Sequence, residues 1–212
     1  MAQRPFCALL VEGTHGAGKS TLIDALLRLH VQRSPVRKIR TVLHLTQSHT
    51  YGPLAAAEDD GSLTAEQNLQ HLNHIVSLLE WLEQSVREQQ RPSCFVLIDT
   101  LHLTHCVRPG VVSPERVATV DARLAAIGCR LLFLRASEET IALRGIDAAA
   151  DTQFLTHYAR KFGKKNAELH SYFMREQRAL EELAAGSALE KRILQCDGPL
   201  EETAENAYDF WN

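Results

Sequence analysis

Along the chain, short unbroken apolar runs alternate with longer stretches in which apolar residues recur every three or four positions. The run "PFCALLVEG" (5–13) ends in glycine and suits a strand buried on both faces. "KSTLIDALLRLHVQR" follows it with Leu22, Ile23, Leu26, Leu27 and His30 near helical spacing, so the opening reads strand, glycine-rich turn, helix. "KIRTVLHL" (38–45) predicts a second strand, and the polar, turn-rich "TQSHTYGPLAAAEDDGS" leads from it into a long helix over 64–90. Thr64 and Gln67 form a capping box at the start of that helix, and Leu69, Leu72, Ile75, Val76, Leu79 and Leu82 keep one apolar face. "CFVLID" (94–99), "GCRLLFLRA" (128–136) and "EKRILQC" (190–196) predict three more strands, each preceded by a helical pattern.

Strands alternating with helices imply parallel pairing through right-handed crossovers. The expected fold is therefore α/β: a three-layer sandwich with a parallel sheet of about five strands and helices on both faces. A chain of 212 residues, 45% hydrophobic, suits one domain spanning 1–212. The stretch from 145 to 187, with its basic "THYARKFGKKNAELHSYFMREQRAL", is longer than a simple crossover requires.

Charge narrows the choice of partner. Lys plus Arg number 23 against 26 Asp plus Glu, a net charge of −3, so no global positive field would draw in nucleic acid, and a small molecule is favoured. The five cysteines are odd in number and far apart, and most lie in apolar runs, which reads as reduced core thiols without metal-ligand spacing. No leader pattern and no apolar run of the ~20 residues needed to span a bilayer are present, so a cytoplasmic protein without membrane partners is expected.

Candidate chemistry begins directly after the first strand. Gly13-Thr14-His15-Gly16-Ala17-Gly18-Lys19-Ser20 fits the phosphate-loop pattern G-x-x-x-x-G-K-[ST] at every fixed position. Its glycines let successive backbone N–H groups converge on phosphate oxygens, where the following helix adds its positive N-terminal dipole. Lys19 is placed to bridge β- and γ-phosphates and Ser20 to ligate Mg²⁺, with Thr21 completing the turn, so ATP and Mg²⁺ are the expected cofactors.

The class of phosphate-loop protein is read from the rest of the chain. The nearest strings to a GTP switch's base-reading and switch motifs, "GKKNAE" and "EDDG", supply neither. A mechanical ATPase places a second acidic residue after the Asp of its central strand, whereas "FVLIDT" continues Asp99 with Thr100. One carboxylate at the end of a central strand suits a kinase, where Asp99 holds Mg²⁺ or takes the proton of an attacking hydroxyl.

On these residues the chain resembles the thymidylate kinase family and the wider nucleoside and nucleotide kinases. "LLVEGTHGAGKSTL" is similar to that family's opening, and "HLNHIVSLLEWL", "FVLID" and "LLFLRASEETIALRG" follow in the family's order. The resemblance implies that Arg144 serves the transferred phosphoryl group and that a lid around 145–166, with Arg160, Lys161, Lys164 and Lys165, closes over the phosphates. It also implies that a homodimer could form along the long helix.

The departures from the family fall on the acceptor side. The family's loop Asp is His15 here, its Asp-Arg-Tyr/Phe is Asp99-Thr100-Leu101, and its Thr-Arg-Glu-Pro is Thr46-Gln47-Ser48-His49. The family's arginine on the long helix falls near Asn73-His74. Arginines at those places would grip a 5′-phosphate by bidentate hydrogen bonds, so their loss points to an acceptor lacking that dianion. The expected activity is ATP-dependent phosphorylation of a hydroxyl on a nucleoside-like molecule. His15, Gln47, His49, Asn73, His74 and His102 are its candidate contacts, and His102 with His105 could shuttle a proton near Asp99. A monophosphate acceptor and a non-catalytic ATP-binding protein remain the alternatives.

Overall fold

The computed structural model describes residues 5–33, 41–88, 93–108, 112–147 and 166–211. The five apolar runs form the strands β1 (Phe6–Glu12), β2 (Thr41–Leu45), β3 (Cys94–Asp99), β4 (Arg130–Arg135) and β5 (Glu190–Gln195). They make one all-parallel sheet in the order β2-β3-β1-β4-β5. β1 and β3 lie at the centre and are buried along their whole length, which is why their sequences run apolar without alternation. β5 is an edge strand, so "EKRILQ" carries its charges on solvent-exposed positions.

The helices are α1 (Lys19–Arg33), α2 (Gln47–Thr50), α3 (Gly52–Asp59), α4 (Ala65–Glu88), α5 (His102–Val107) and α6 (Pro114–Ala126). After β4, α7 (Glu138–Thr140) passes into a π-helical turn (Ile141–Asp147), and α8 (Asn166–Gly186) and α9 (Leu200–Trp211) complete the chain. The capping box opens α4 as its spacing predicts: Thr64 N donates to Gln67 Oε1 at 2.9 Å and Gln67 N to Thr64 Oγ1 at 3.2 Å. The segment expected to be turn-rich polar chain instead folds into α2 and α3. His49 closes a local cap on Thr46, and Pro53 sits in the first turn of α3, where its missing N–H costs nothing.

Side chains alternate across the sheet and so build two cores. Phe6, Ala8 and Leu10 face one layer with Leu72 and Val76 of α4 and Val120 and Leu124 of α6. Cys7, Leu9 and Val11 face the other, against Leu22, Ile23 and Leu26 of α1 and Phe210 and Trp211 of α9. α8 contributes Leu180 to the first core and Phe173 to the second. Each leucine, isoleucine, valine or phenylalanine among them, fully withdrawn from water, stabilises the fold by about 1.5–3 kcal/mol. His30 belongs to this packing, its ring centroid 4.2 Å from that of Phe95. All five cysteines are free thiols, and no helix among the described residues is long and apolar enough to cross a membrane.

Candidate functional site

Parallel pairing of the two central strands positions the chemistry. Val11 lies opposite Asp99, so the phosphate loop leaving β1 and the carboxylate ending β3 emerge side by side at the carboxyl edge of the sheet. Ser20 Oγ donates to Asp99 Oδ2 at 3.2 Å. Lys19 Nζ curls back onto its own loop and donates to the carbonyls of Gly13 (2.8 Å) and Thr14 (3.0 Å). Burial holds the Lys19 ammonium below its usual pKa, while the Asp99 charge pulls it back up. Ala17 is buried under the loop, whereas Ser20 and Thr21 face solvent.

The carboxylate is held in place by an unusual turn. Thr100 adopts φ +63°, a left-handed conformation that costs a β-branched residue roughly 1–3 kcal/mol. Local hydrogen bonds offset that strain: Thr100 N donates to Val11 O at 3.0 Å, and Thr100 Oγ1 to Asp99 Oδ1 at 2.9 Å. Glu12, fully buried at the end of β1, accepts from Leu101 N and from Thr104 Oγ1, both at 2.8 Å. The loop and the start of α5 are therefore braced by one charged side chain, which ordinary strand reading passes over.

A second buried network joins the phosphate loop to α5 and α8. Thr14 Oγ1 donates to Glu176 Oε2, and Arg108 Nε donates to Glu176 Oε1 at 3.1 Å. The Arg108 guanidinium lies 5.9 Å from the centre of the Tyr51 ring, whose hydroxyl reaches Glu58. Burial alone would raise the Glu176 pKa, but Arg108, Thr14 and Lys19 more than offset it and hold the carboxyl below the usual range. His15 is lowered to about 4, by burial first and then by the charges of Lys19 and Arg108, so it is a neutral ring at pH 7.

Thr50 ties α2 to the same place. Its hydroxyl donates to Asp99 O at 3.1 Å, and its carbonyl meets His71 Nε2 at 2.9 Å and His105 Nε2 at 3.1 Å. His105 Nδ1 meets the Asn68 side chain, and the Tyr51 ring packs edge-on at 5.1 Å. Burial lowers the His105 pKa to about 3, with the His71 ring beside it adding to the effect.

On the other flank, the π-helical turn presses against the loop. A Cβ on Gly16, which has φ +80°, would stand 2.8 Å from Gly145 Cα, so this backbone approach needs glycine. Arg144 Nη1 donates to Cys196 O at 3.0 Å. It lines a cavity of about 180 Å³ with Gly18, Thr21, Cys196 and Leu200.

Several expected contacts lie elsewhere. His102 is fully buried, with Nε2 2.8 Å from Asp121 Oδ1 of α6. Asn73 accepts from Arg123 Nη1 at 2.6 Å and serves the α4–α6 contact. His49 is spent on the α2 cap and is exposed; His74 is exposed, and His71, one helical turn earlier, takes the inward place. Gln47 lies half-buried at the start of α2. Arg160, Lys161, Lys164 and Lys165 lie outside the described residues. Thr50, Tyr51, His71, Arg108 and Glu176 belong to no sequence motif, and Thr14 occupies a variable position of the phosphate loop.

With this geometry in view, the comparisons decide the fold. No family model and no curated protein matches the chain. Among solved structures it is similar to the YorR protein of Bacillus subtilis, determined in complex with phosphorylated GDP, with a TM-score of 0.61 over 96% of this chain and 94% of that one. It shares that protein's fold. Sequence identity is 12%, so the likeness concerns the α/β architecture alone and does not single out the thymidylate kinases.

Proposed function

We propose that the protein is an ATP- and Mg²⁺-dependent phosphotransferase acting on a hydroxyl of a neutral, nucleoside-like small molecule. The observation that carries this reading is the meeting of Ser20 Oγ with Asp99 Oδ2 at 3.2 Å beside the phosphate loop. A hydroxyl and a carboxylate are the hard oxygen donors that Mg²⁺ takes, so the residues present fit the ion. When bound there, Mg²⁺ would neutralise charge on the donor's β- and γ-phosphoryl oxygens. Both Asp99 carboxylate oxygens already accept hydrogen bonds, which favours the metal-holding role over that of base.

The chain's own residues supply the rest. Lys19 exchanges its two loop carbonyls for donor phosphate oxygens, and the loop's N–H groups orient them. The Arg144 cavity suits the donor's base, which moves that arginine from the transferred phosphoryl to the nucleotide's far end. Arg160, Lys161 and Lys164 remain the proposed lid. His15, neutral at pH 7, and the half-buried His71 offer hydrogen-bonding faces to a sugar-like acceptor, with Thr50, Tyr51 and His105 packed behind them. The five free thiols fit a reducing, cytoplasmic setting.

A second reading, a monophosphate acceptor, is favoured by Arg108, a buried guanidinium standing near Lys19 and His15. ADP release from ATP and Mg²⁺ against nucleosides, nucleoside monophosphates and an acceptor-free control separates the readings. Release with nucleosides supports the proposal, release with monophosphates alone replaces it with the second reading, and silence removes both.

A further inference from the structure

We propose that Glu176 sets the charge of acceptor this site admits: its carboxylate, bonded to both Thr14 and Arg108, cancels the Arg108 guanidinium and so turns away phosphorylated acceptors. The inference rests on the phosphotransferase reading above and assigns its substrate class.

The geometry makes the pair unusual for a phosphate-handling site. Arg108 and Glu176 have side chains only 7% and 1% exposed, so solvent screens their interaction weakly. A buried arginine without a counter-charge is a receptor for a phosphate dianion. Here the Glu176 Oε1 lies 3.1 Å from Arg108 Nε, and its Oε2 takes the hydroxyl of a phosphate-loop residue, Thr14. An acceptor phosphate brought to that guanidinium would face a carboxylate at hydrogen-bond range of the same group, and like charges so placed oppose binding. Among the described residues the neighbouring histidines add no positive charge: His15 and His105, lowered to about 4 and about 3, are neutral at pH 7. Lys19 and Asp99 belong to the donor and its metal. With both oxygens engaged, Glu176 acts as a selector of acceptor charge and leaves proton transfer to other groups.

Glu176→Gln keeps the shape and leaves Arg108 unneutralised, and the double variant Arg108→Gln/Glu176→Gln removes the pair together. The ratio of kcat/KM for a nucleoside monophosphate to that for its nucleoside should rise on the order of 10- to 100-fold in Glu176→Gln and not in the double variant. Melting in inorganic phosphate against chloride at equal ionic strength needs no turnover. Any phosphate held by the loop is common to all three proteins, so the extra stabilisation should appear in Glu176→Gln alone, even if that variant melts early. An unchanged ratio in folded Glu176→Gln, equal phosphate shifts in all three proteins, or the same gain in the double variant overturns the assignment. If the wild-type protein turns over no acceptor at all, the phosphotransferase reading is what has failed, and the phosphate shifts alone decide the place of Glu176.

Discussion

His105 offers the most quantitative test of how the buried network around Thr50 is built. The ring is 1% exposed, with Nε2 on the Thr50 carbonyl and Nδ1 on Asn68. Burial lowers its pKa from 6.5 to about 3. Because the folded value is depressed, the unfolded chain binds more protons between those limits, and stability falls as pH drops through that window. From pH 7 to pH 5 the unfolded imidazole takes up most of a proton while the folded ring takes up almost none. At 1.36 kcal/mol per unit, that is a loss of about 2 kcal/mol from this residue. His15, lowered to about 4, adds a similar loss over the same interval. Urea unfolding of wild type and His105→Gln at both pH values isolates the term, since carboxylate contributions are common to the two proteins. The variant should lose about 2 kcal/mol less than wild type between pH 7 and pH 5. Equal losses would show that His105 titrates as if in water. A larger loss in the variant would show the opposite of the argument: a ring held charged between the Asn68 and Thr50 oxygens.

Asp99→Asn keeps an oxygen for the Thr100 hydroxyl and the same volume, so melting should shift by under about 1 kcal/mol. ADP release should nevertheless fall at least about 100-fold with nucleotide binding retained, and turnover within a few-fold of wild type would remove Asp99 from the metal site. Gly16→Ala should cost about 1–3 kcal/mol in urea unfolding, because φ +80° is strained for alanine and the new Cβ would stand 2.8 Å from Gly145 Cα. An unchanged midpoint would mean the loop and the π-helical turn do not touch. Trp211→Ala should cost about 3–5 kcal/mol, since the indole is 1% exposed, packs on Phe95 and His30, and donates to Cys7 O at 3.3 Å. A cost below 1 kcal/mol by chemical unfolding would place that side chain outside the core.

Local pattern determined much of this protein. Unbroken apolar runs mark β1, β3 and β4 because strands covered on both faces have no polar side to show. The phosphate loop and Asp99 are legible because each needs particular residue types at fixed spacing, and the parallel register then brings Ser20 and Asp99 together. α2 and α3 were less visible, since two short helices resting on a local cap and one proline leave no periodicity to read. The buried networks beside the loop were decided only by tertiary structure. His102 and His105 lie three residues apart on α5, yet one meets Asp121 and the other Thr50, because those partners come from α6 and α2, whose places beside α5 are set by docking and not by local sequence. Thr14, Arg108 and Glu176 come from the loop, the end of α5 and the middle of α8. A charge balance assembled across that much chain depends on how the helices dock, and no spacing in the sequence records it.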